Sequence, residues 1–264
     1  MILYKYHGGG NDFLIADNRD GRSELSTERI KNLCERHTGF GADGVMFLEK
    51  SLDKDFSMRY YNSDGSGGMM CGNGGRCIVA FAAYKGYSSF NFDAPDGPHT
   101  AEIIKDGNPK IIRLTLKDVN EISLTGQDEY FIDTGTRHLV RFVDSVEDYD
   151  VLREGRLLRH DCRFAPLGTN VDFVGIDEKG LSVRTYEKGV EGETLACGTG
   201  IVASAIAAYV KGVTGRRLEN EAFEYDIRAR ISSMKVEFVP DEDASAFKNI
   251  WLTGPAEFIG IVNI

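Results

Sequence analysis

The chain has 264 residues, with 41 acidic against 31 basic side chains and a formal charge of −10. That balance argues against a general nucleic-acid or anionic-membrane partner, although a local field can still hold an anionic substrate. Hydrophobic content of 42% and charged content of 27% are those of a globular protein of one large or two small domains. The start, Met1 to His7, has no apolar region with a cleavage site and does not read as a signal peptide. The longest apolar stretch, around Ile201 to Val210, is far short of a membrane span. Five cysteines, an odd number without a Cys-x-x-Cys pair, fit free thiols in a reducing cytoplasm better than a disulfide framework or a zinc site.

Met1–Ala16 reads as strand, glycine loop and strand, broken at Gly8-Gly9-Gly10. Ser26 has N-cap character and opens a helix expected to run to about His37. A flexible loop over Gly39–Gly44 precedes a short buried strand, Val45–Leu48, and Phe56–Tyr61 alternates as a strand should. Asn62–Gly68 is then a long turn leading to an Ala-rich helix. Thr100–Ile104 and Lys110–Leu116 form two strands, with Asp106-Gly107-Asn108-Pro109 as the hairpin turn between them. A polar stretch over 117–126 marks a candidate boundary. Beyond it the pattern repeats: strands at Glu129–Ile132 and Leu139–Val143, a helix at Val146–Leu152, the segment Gly168–Val174, a strand at Leu181–Tyr186, a second Ala-rich helix, and further strands to Ile264. Each half reads as an α+β unit with strands around one apolar helix.

Both apolar helices open on the same turn. Cys71-Gly72-Asn73-Gly74 leads into Ile78-Val79-Ala80-Phe81-Ala82-Ala83-Tyr84; Cys197-Gly198-Thr199-Gly200 leads into Ile201-Val202-Ala203-Ser204-Ala205-Ile206-Ala207-Ala208-Tyr209. A thiol at a helix N-terminus is where a thiolate forms most easily. Inverting an amino-acid α-carbon needs a base on one face and an acid on the other. Thiolate and thiol make such a pair, because each side's product is the other side's reactant. The same helix N-termini present N–H groups to a carboxylate and stabilise the charge that builds as the α-proton leaves. The other three cysteines, Cys34, Cys77 and Cys162, are expected to be small buried hydrophobes. Gly198-Thr199-Gly200-Ile201-Val202-Ala203 also fits G-x-G-x-x-A, but Glu193–Ala196 is a poor core strand, and a dinucleotide site leaves the duplicated cysteine unexplained.

These residues resemble a known family. Asn62-Ser63-Asp64-Gly65-Ser66, four residues, then Cys71-Gly72-Asn73-Gly74-Gly75-Arg76 is similar to the active-site motif of the diaminopimelate epimerases. The resemblance extends through Gly10-Asn11-Asp12-Phe13, Gly39–Gly44, Gly168–Phe173, Tyr186–Gly189 and Glu193–Gly200, essentially the whole chain. It implies an α+β, pseudo-duplicated fold of two similar domains, each a curled, mostly antiparallel sheet around a central helix. The domains would be 1–118, with the strand 255–264 returning to it, and 119–254, the active site lying at the cleft between them. It implies an isomerase without pyridoxal, other cofactor or metal that converts LL-diaminopimelate to the meso form, for lysine and peptidoglycan synthesis. Its partners would be a small amino-acid substrate and a second copy in a homodimer, with no nucleic acid or membrane. Cys71 and Cys197 would be the base and acid, supported by His138 and Glu187. Gly72, Asn73, Gly198 and Thr199 would hold the reacting carboxylate with Asn11 close by; Asn62 and Asn170 would sit at the distal end of the substrate, with Glu187 and Lys188 also touching it. Turn formation alone also explains an Asn at 11, 62 or 170.

Three departures from the family pattern stand out. Gly135-Thr136-Arg137-His138 replaces the usual Gly-Asn-Pro-His, Glu187-Lys188-Gly189 replaces Glu-Arg-Gly, and Val190-Glu191-Gly192-Glu193 is one residue longer than usual. Arg grips a carboxylate with two parallel bonds, whereas Lys is a point charge. The reading taken forward has Arg137 and Lys188 share that charge role. A racemase of another amino acid and a non-catalytic amino-acid binder are the alternatives. The related phenazine-synthesis isomerases lack the cysteine pair.

Overall fold

The computed structural model describes residues 1–264. It divides into two compact units, Met1–Leu114 with Gly254–Ile264, and Thr115–Thr253. Residues 115–118 go with the second unit because Leu116 N–H bonds Ile250 O and Val119 exchanges bonds with Phe247. No helix is long and apolar enough to cross a membrane.

In the first unit β1 (Ile2–Gly8) and β2 (Asn11–Asp17) form a hairpin across Gly9 and Gly10, both at positive φ, where glycine is the natural residue. α1 (Thr27–Cys34) crosses over to β3 (Gly44–Glu49), which pairs parallel with β2. The helix stops at Cys34, short of the expected His37, because Phe40 and Ala42 turn back to bond the carbonyls of Leu33 and Cys34. β4 (Phe56–Asn62) returns antiparallel, and α2 (Gly72–Tyr84) follows. β5 (Asn91–Ala94), which the sequence pattern does not reveal, pairs parallel with β4, and β6 (Gly97–Lys105) and β7 (Lys110–Thr115) close the set.

The second unit repeats this order. β8 (Ile122–Gly126), inside the stretch read as a polar boundary, pairs with β9 (Glu129–Asp133), and β9 with β10 (Arg137–Phe142). α3 (Val151–Arg159) crosses over to β11 (Asn170–Asp177), parallel to β10. This helix was expected at Val146–Leu152. It starts later because Asp150, not an earlier residue, caps it by accepting the Arg153 N–H, and Val146–Tyr149 form a turn instead. β12 (Gly180–Glu187), β13 (Gly192–Thr194), α4 (Gly198–Val210), β14 (Arg216–Arg217), β15 (Phe223–Arg228) and β16 (Ser233–Pro240) follow. β12 is antiparallel to β11 and parallel to β15, as β4 is to β3 and β5. β17 (Phe247–Asn263) pairs with β16 up to Thr253 and with β1 from Glu257 onward.

Each unit is thus a mostly antiparallel sheet curled around one apolar helix. Every residue of α4 from Gly200 to Ala208 is buried, as is every residue of α2 from Gly72 to Ala82. A helix apolar on all sides has to be enclosed, and its Ala and Gly content lets strands approach on every face. Glycines in a helix cost roughly 1 kcal/mol each, while Ile201, Val202 and Ile206 each return roughly 1.5–3 kcal/mol by burial, so burial wins. Cys34 and Cys77 are buried as expected; Cys162 is exposed, because it opens a single 3-10 turn at the surface after α3.

A Cβ at Gly200 would lie 2.3 Å from Asp172 Oδ1, whereas one at Gly67 meets nothing within 4 Å. Gly200→Ala is expected to lower stability by about 1–3 kcal/mol, with Gly67→Ala within about 0.5 kcal/mol of the parent, both read from urea unfolding; equal midpoints for the two would contradict the packing described.

Candidate active site

Cys71 caps α2. Its backbone is extended, φ −121° and ψ 152°, and its Sγ accepts the Gly74 N–H at 3.2 Å. The first intrahelical bond runs from Gly75 N–H to Cys71 O, so the Gly72 and Asn73 N–H groups lie ahead of the bonded ladder, at the positive end of the helix. The end of β1 packs tightly here: a Cβ at Gly8 would fall 2.9 Å from Asn73 O. Asn11, at the start of β2, donates its Nδ2 to Asp43 Oδ2 at 2.5 Å. That bond orients the amide so that Oδ1 accepts from the Cys71 thiol, at 3.8 Å. Asp43 is in turn held by Arg36, and Asp12 by Arg36 and Lys5. Burial works against the Asp12 carboxylate, but the bonds from Arg36 and Lys5 prevail and hold it below the usual range. Asn62 ends β4 and caps its own turn, Nδ2 donating to Ser66 Oγ at 3.1 Å.

In the second unit Cys197 caps α4, and the first intrahelical bond is Ile201 N–H to Cys197 O. The Cys197 thiol is buried and is pushed well above its usual range, first by burial and then by the carboxylates of Glu187 and Asp172. Its Sγ lies 3.4 Å from Thr199 Oγ1. Thr199 Oγ1 lies 3.0 Å from His138 Nε2, and His138 Nδ1 lies 2.6 Å from Asp172 Oδ2. The parallel register of β10 and β11 puts His138 beside Asn170 and Val140 beside Asp172, and the antiparallel register of β11 and β12 puts Asp172 opposite Thr185, whose hydroxyl donates to Asp172 Oδ1 at 2.6 Å.

His138 and Asp172 are wholly buried, and this geometry assigns the proton. Asp172 Oδ2 faces Nδ1, so that nitrogen carries the hydrogen of this pair, and the Asn170 amide nitrogen, a donor, faces Nε2. Thr136 Oγ1 sits 2.9 Å from Nε2 and donates to Thr199 Oγ1 at 3.0 Å, while Asn170 Nδ2 is 3.4 Å from Nε2. Thr134 Oγ1 donates to Thr199 O at 3.2 Å, which steadies the turn itself.

Asn170 Oδ1 accepts the Lys188 N–H at 2.8 Å, tying it to the end of β12. Lys188 Nζ reaches only Leu167 O, at 3.5 Å. The Arg137 guanidinium lies over the Phe131 ring, 5.0 Å from the centroid, and Nη1 donates to the backbone oxygen of Phe164; neither contact bears on the charge role expected of it beside Lys188. The extra residue after Lys188 is absorbed by a turn with Gly189 and Glu191 at positive φ, closed by Glu191 N–H to Glu187 O.

Asp172, Thr185 and Thr134 did not emerge as site residues from the sequence; Thr136 emerged only as a departure from the family pattern. Asp172 left a signal, a lone acid inside the apolar run Val171-Asp172-Phe173-Val174.

A diaminopimelate epimerase family model matches residues 3–118 and 130–258. A diaminopimelate epimerase of Flavobacterium psychrophilum is 42% identical over 264 residues, covering 98% of both chains, and one of Chlorobaculum tepidum is 38% identical over 258 residues, covering 96% of both. Among solved structures, a PhzF-family phenazine biosynthesis protein of Bacillus anthracis superposes with a TM-score of 0.75 at 14% identity, covering 100% of this chain and 98% of that one. A hydroxyproline epimerase of Agrobacterium vitis superposes at 0.70 and 16% identity, covering 99% and 91%. At such identities these likenesses show the fold alone. Matched by the family model over nearly its whole length and by relatives of that name end to end, the chain belongs to the diaminopimelate epimerase family.

Proposed function

We propose that the protein epimerises LL-diaminopimelate to the meso form by a two-base reaction between Cys71 and Cys197. The observation that carries this reading is the pair of cysteine N-caps, each opening a buried helix whose first N–H groups precede the bonded ladder. The two sulfurs act on opposite faces of one α-carbon. The Cys71 thiolate removes the α-proton, and its carbon–hydrogen electron pair moves into the carboxylate. The N–H groups of Gly72, Asn73, Gly198 and Thr199 hold that carboxylate and stabilise the added charge. Cys197 then gives its proton to the opposite face.

Cys71 Sγ accepts the Gly74 N–H and, as a thiol, donates to Asn11 Oδ1; loss of that proton gives the thiolate that starts the cycle. Cys197 is buried beside two carboxylates and stays a thiol. After one turnover the roles are exchanged. The starting state returns when Cys71 gives its proton to solvent and Cys197 takes one from solvent; Thr199 Oγ1 lies between the Cys197 sulfur and His138 Nε2, and Asp172 orients the imidazole through Nδ1. Asn62, Asn170, Glu187 and Lys188 recognise the distal amino-acid end, Lys188 as the single cation of that group. Homodimerisation belongs to the same proposal and rests on family membership alone.

Steady-state assays with LL-diaminopimelate beside a panel of single L-amino acids test the substrate. Turnover of diaminopimelate and none of the panel is expected; the reverse would sink this reading in favour of a sister racemase. Asp172→Asn should lower kcat roughly 10²-fold or more, the range of a general acid–base contribution, with KM changed much less, because the substrate never touches residue 172. An unchanged kcat in a folded Asp172→Asn protein would remove His138 from the proton path.

A further inference from the structure

Thr136 lies in Gly135-Thr136-Arg137-His138, where the chain departs from the family pattern, and its side chain closes a triangle of polar atoms. Thr136 Oγ1 is 2.9 Å from His138 Nε2 and 3.0 Å from Thr199 Oγ1, and Thr199 Oγ1 is 3.0 Å from the same Nε2. Cys197 Sγ is a fourth neighbour, 3.4 Å from Thr199 Oγ1. All four side chains belong to the second unit, at the start of β10 and in the turn that opens α4.

These contacts outnumber the hydrogens available to make them. Each threonine hydroxyl has one hydrogen and two lone pairs, and an imidazole nitrogen without hydrogen accepts through a single lone pair. Nε2 is such a nitrogen: Asn170 Oδ1 takes the Lys188 N–H, so the amide end that faces Nε2, at 3.4 Å, is the donor. Nε2 therefore takes one short bond at a time, from Thr199 or from Thr136. With Cys197 a thiol, Thr136 donates to Thr199, Thr199 donates to Nε2, and the sulfur gives its hydrogen to the remaining lone pair of Thr199 Oγ1. With Cys197 a thiolate, Thr199 turns its hydrogen to the sulfur and Thr136 turns its own to Nε2. Every group keeps a partner in both arrangements. The charged groups that face the sulfur, Glu187 and Asp172, are carboxylates and cannot donate to it. On the strands packed on α4, Glu129 pairs with Arg141, Arg184 with Glu193 and Glu224 with Lys235, while Asp133 takes the Gly135 N–H. The Thr199 hydroxyl is thus the side-chain donor beside the thiolate.

We propose that Thr136 is a positioning residue of Cys197: it takes over the bond to His138 Nε2 when the Thr199 hydroxyl turns to the sulfur, so that thiol and thiolate are both served. Without it, the wholly buried His138 loses its short bond at Nε2 each time the sulfur ionises. Two hydroxyls turn, and no proton passes between these groups. This deepens the two-cysteine reading, in which Cys197 alternates between both forms, and rests on it for its purpose. Its test is read on the protein without substrate, so the two fail separately.

The experiment follows alkylation of each cysteine by iodoacetamide across pH, peptide by peptide, in the wild-type protein, Thr136→Val and Thr136→Ser. Thr136 is exposed, so neither substitution disturbs the core. Thr136→Val keeps the shape without the hydroxyl. It should raise the Cys197 midpoint and slow alkylation below that midpoint about three- to tenfold, the range of one hydrogen bond, with Cys71 unchanged. Thr136→Ser should return the wild-type rate. With LL-diaminopimelate, Thr136→Val should lower kcat by a similar factor and leave KM within about twofold. An unmoved Cys197 midpoint in Thr136→Val would mean that solvent or Asn170 serves Nε2 as well, and would overturn the proposal. So would Thr136→Ser as slow as Thr136→Val, equal slowing at Cys71, or a raised KM with Cys197 unmoved, the mark of a substrate contact. A shifted Cys197 midpoint in a protein that inverts no amino acid would instead overturn the catalytic reading and leave the role of Thr136 standing.

Discussion

The enclosure of two apolar helices is the constraint from which the site follows. α2 and α4 have no solvated face, so each must be wrapped by strands, and the sheet of each unit curls to do it. Wrapping satisfies the flanks of a helix but not its first turn, whose N–H groups precede the bonded ladder. In both units the residue at that point is cysteine; Cys71 caps its helix with the sulfur, accepting the Gly74 N–H, whereas Cys197 makes no side-chain cap bond. The small residues that make wrapping feasible also let backbone approach backbone, as where Gly8 meets Asn73.

The two turns are alike in backbone and unlike in surroundings. Beside Cys71 stands the Asn11 amide, whose orientation is set by Asp43. Around Cys197 the neighbours are carboxylates, a thiol-to-threonine contact and a buried imidazole–carboxylate pair. A repeated fold therefore carries two different polar settings, an amide beside one sulfur and carboxylates beside the other.

Much of this was legible in the chain. The doubled Cys-Gly-x-Gly turn and its Ala-rich sequel mark both central helices, because a helix without a polar face admits few readings. Strands with clear alternation, such as Phe56–Tyr61, were also plain. β5 and β8 were not: β5 is four residues long, and no residue of β8 is buried, so neither shows a hydrophobic rhythm. α3 was displaced by several residues because Asp150 competes successfully as a cap. The polar network of the second unit was only half visible. His138 and Thr199 lie in motifs, but their connection through Thr136 and Asp172 depends on strand register, which a sequence expresses only through pairing. Arg137 read as a substrate-side charge, and its stacking on the Phe131 ring was not legible.

The central claim is that two sulfurs share one α-carbon, and the fate of the α-hydrogen tests it most directly. LL-diaminopimelate is incubated in heavy water for a small fraction of one conversion, and product and residual substrate are then separated and weighed. The account predicts deuterium at the inverted carbon of the meso product and almost none in recovered substrate, since removal and delivery use different groups on opposite faces. Product that keeps its original hydrogen, or substrate labelled as fast as product forms, would mean one group does both and would contradict it.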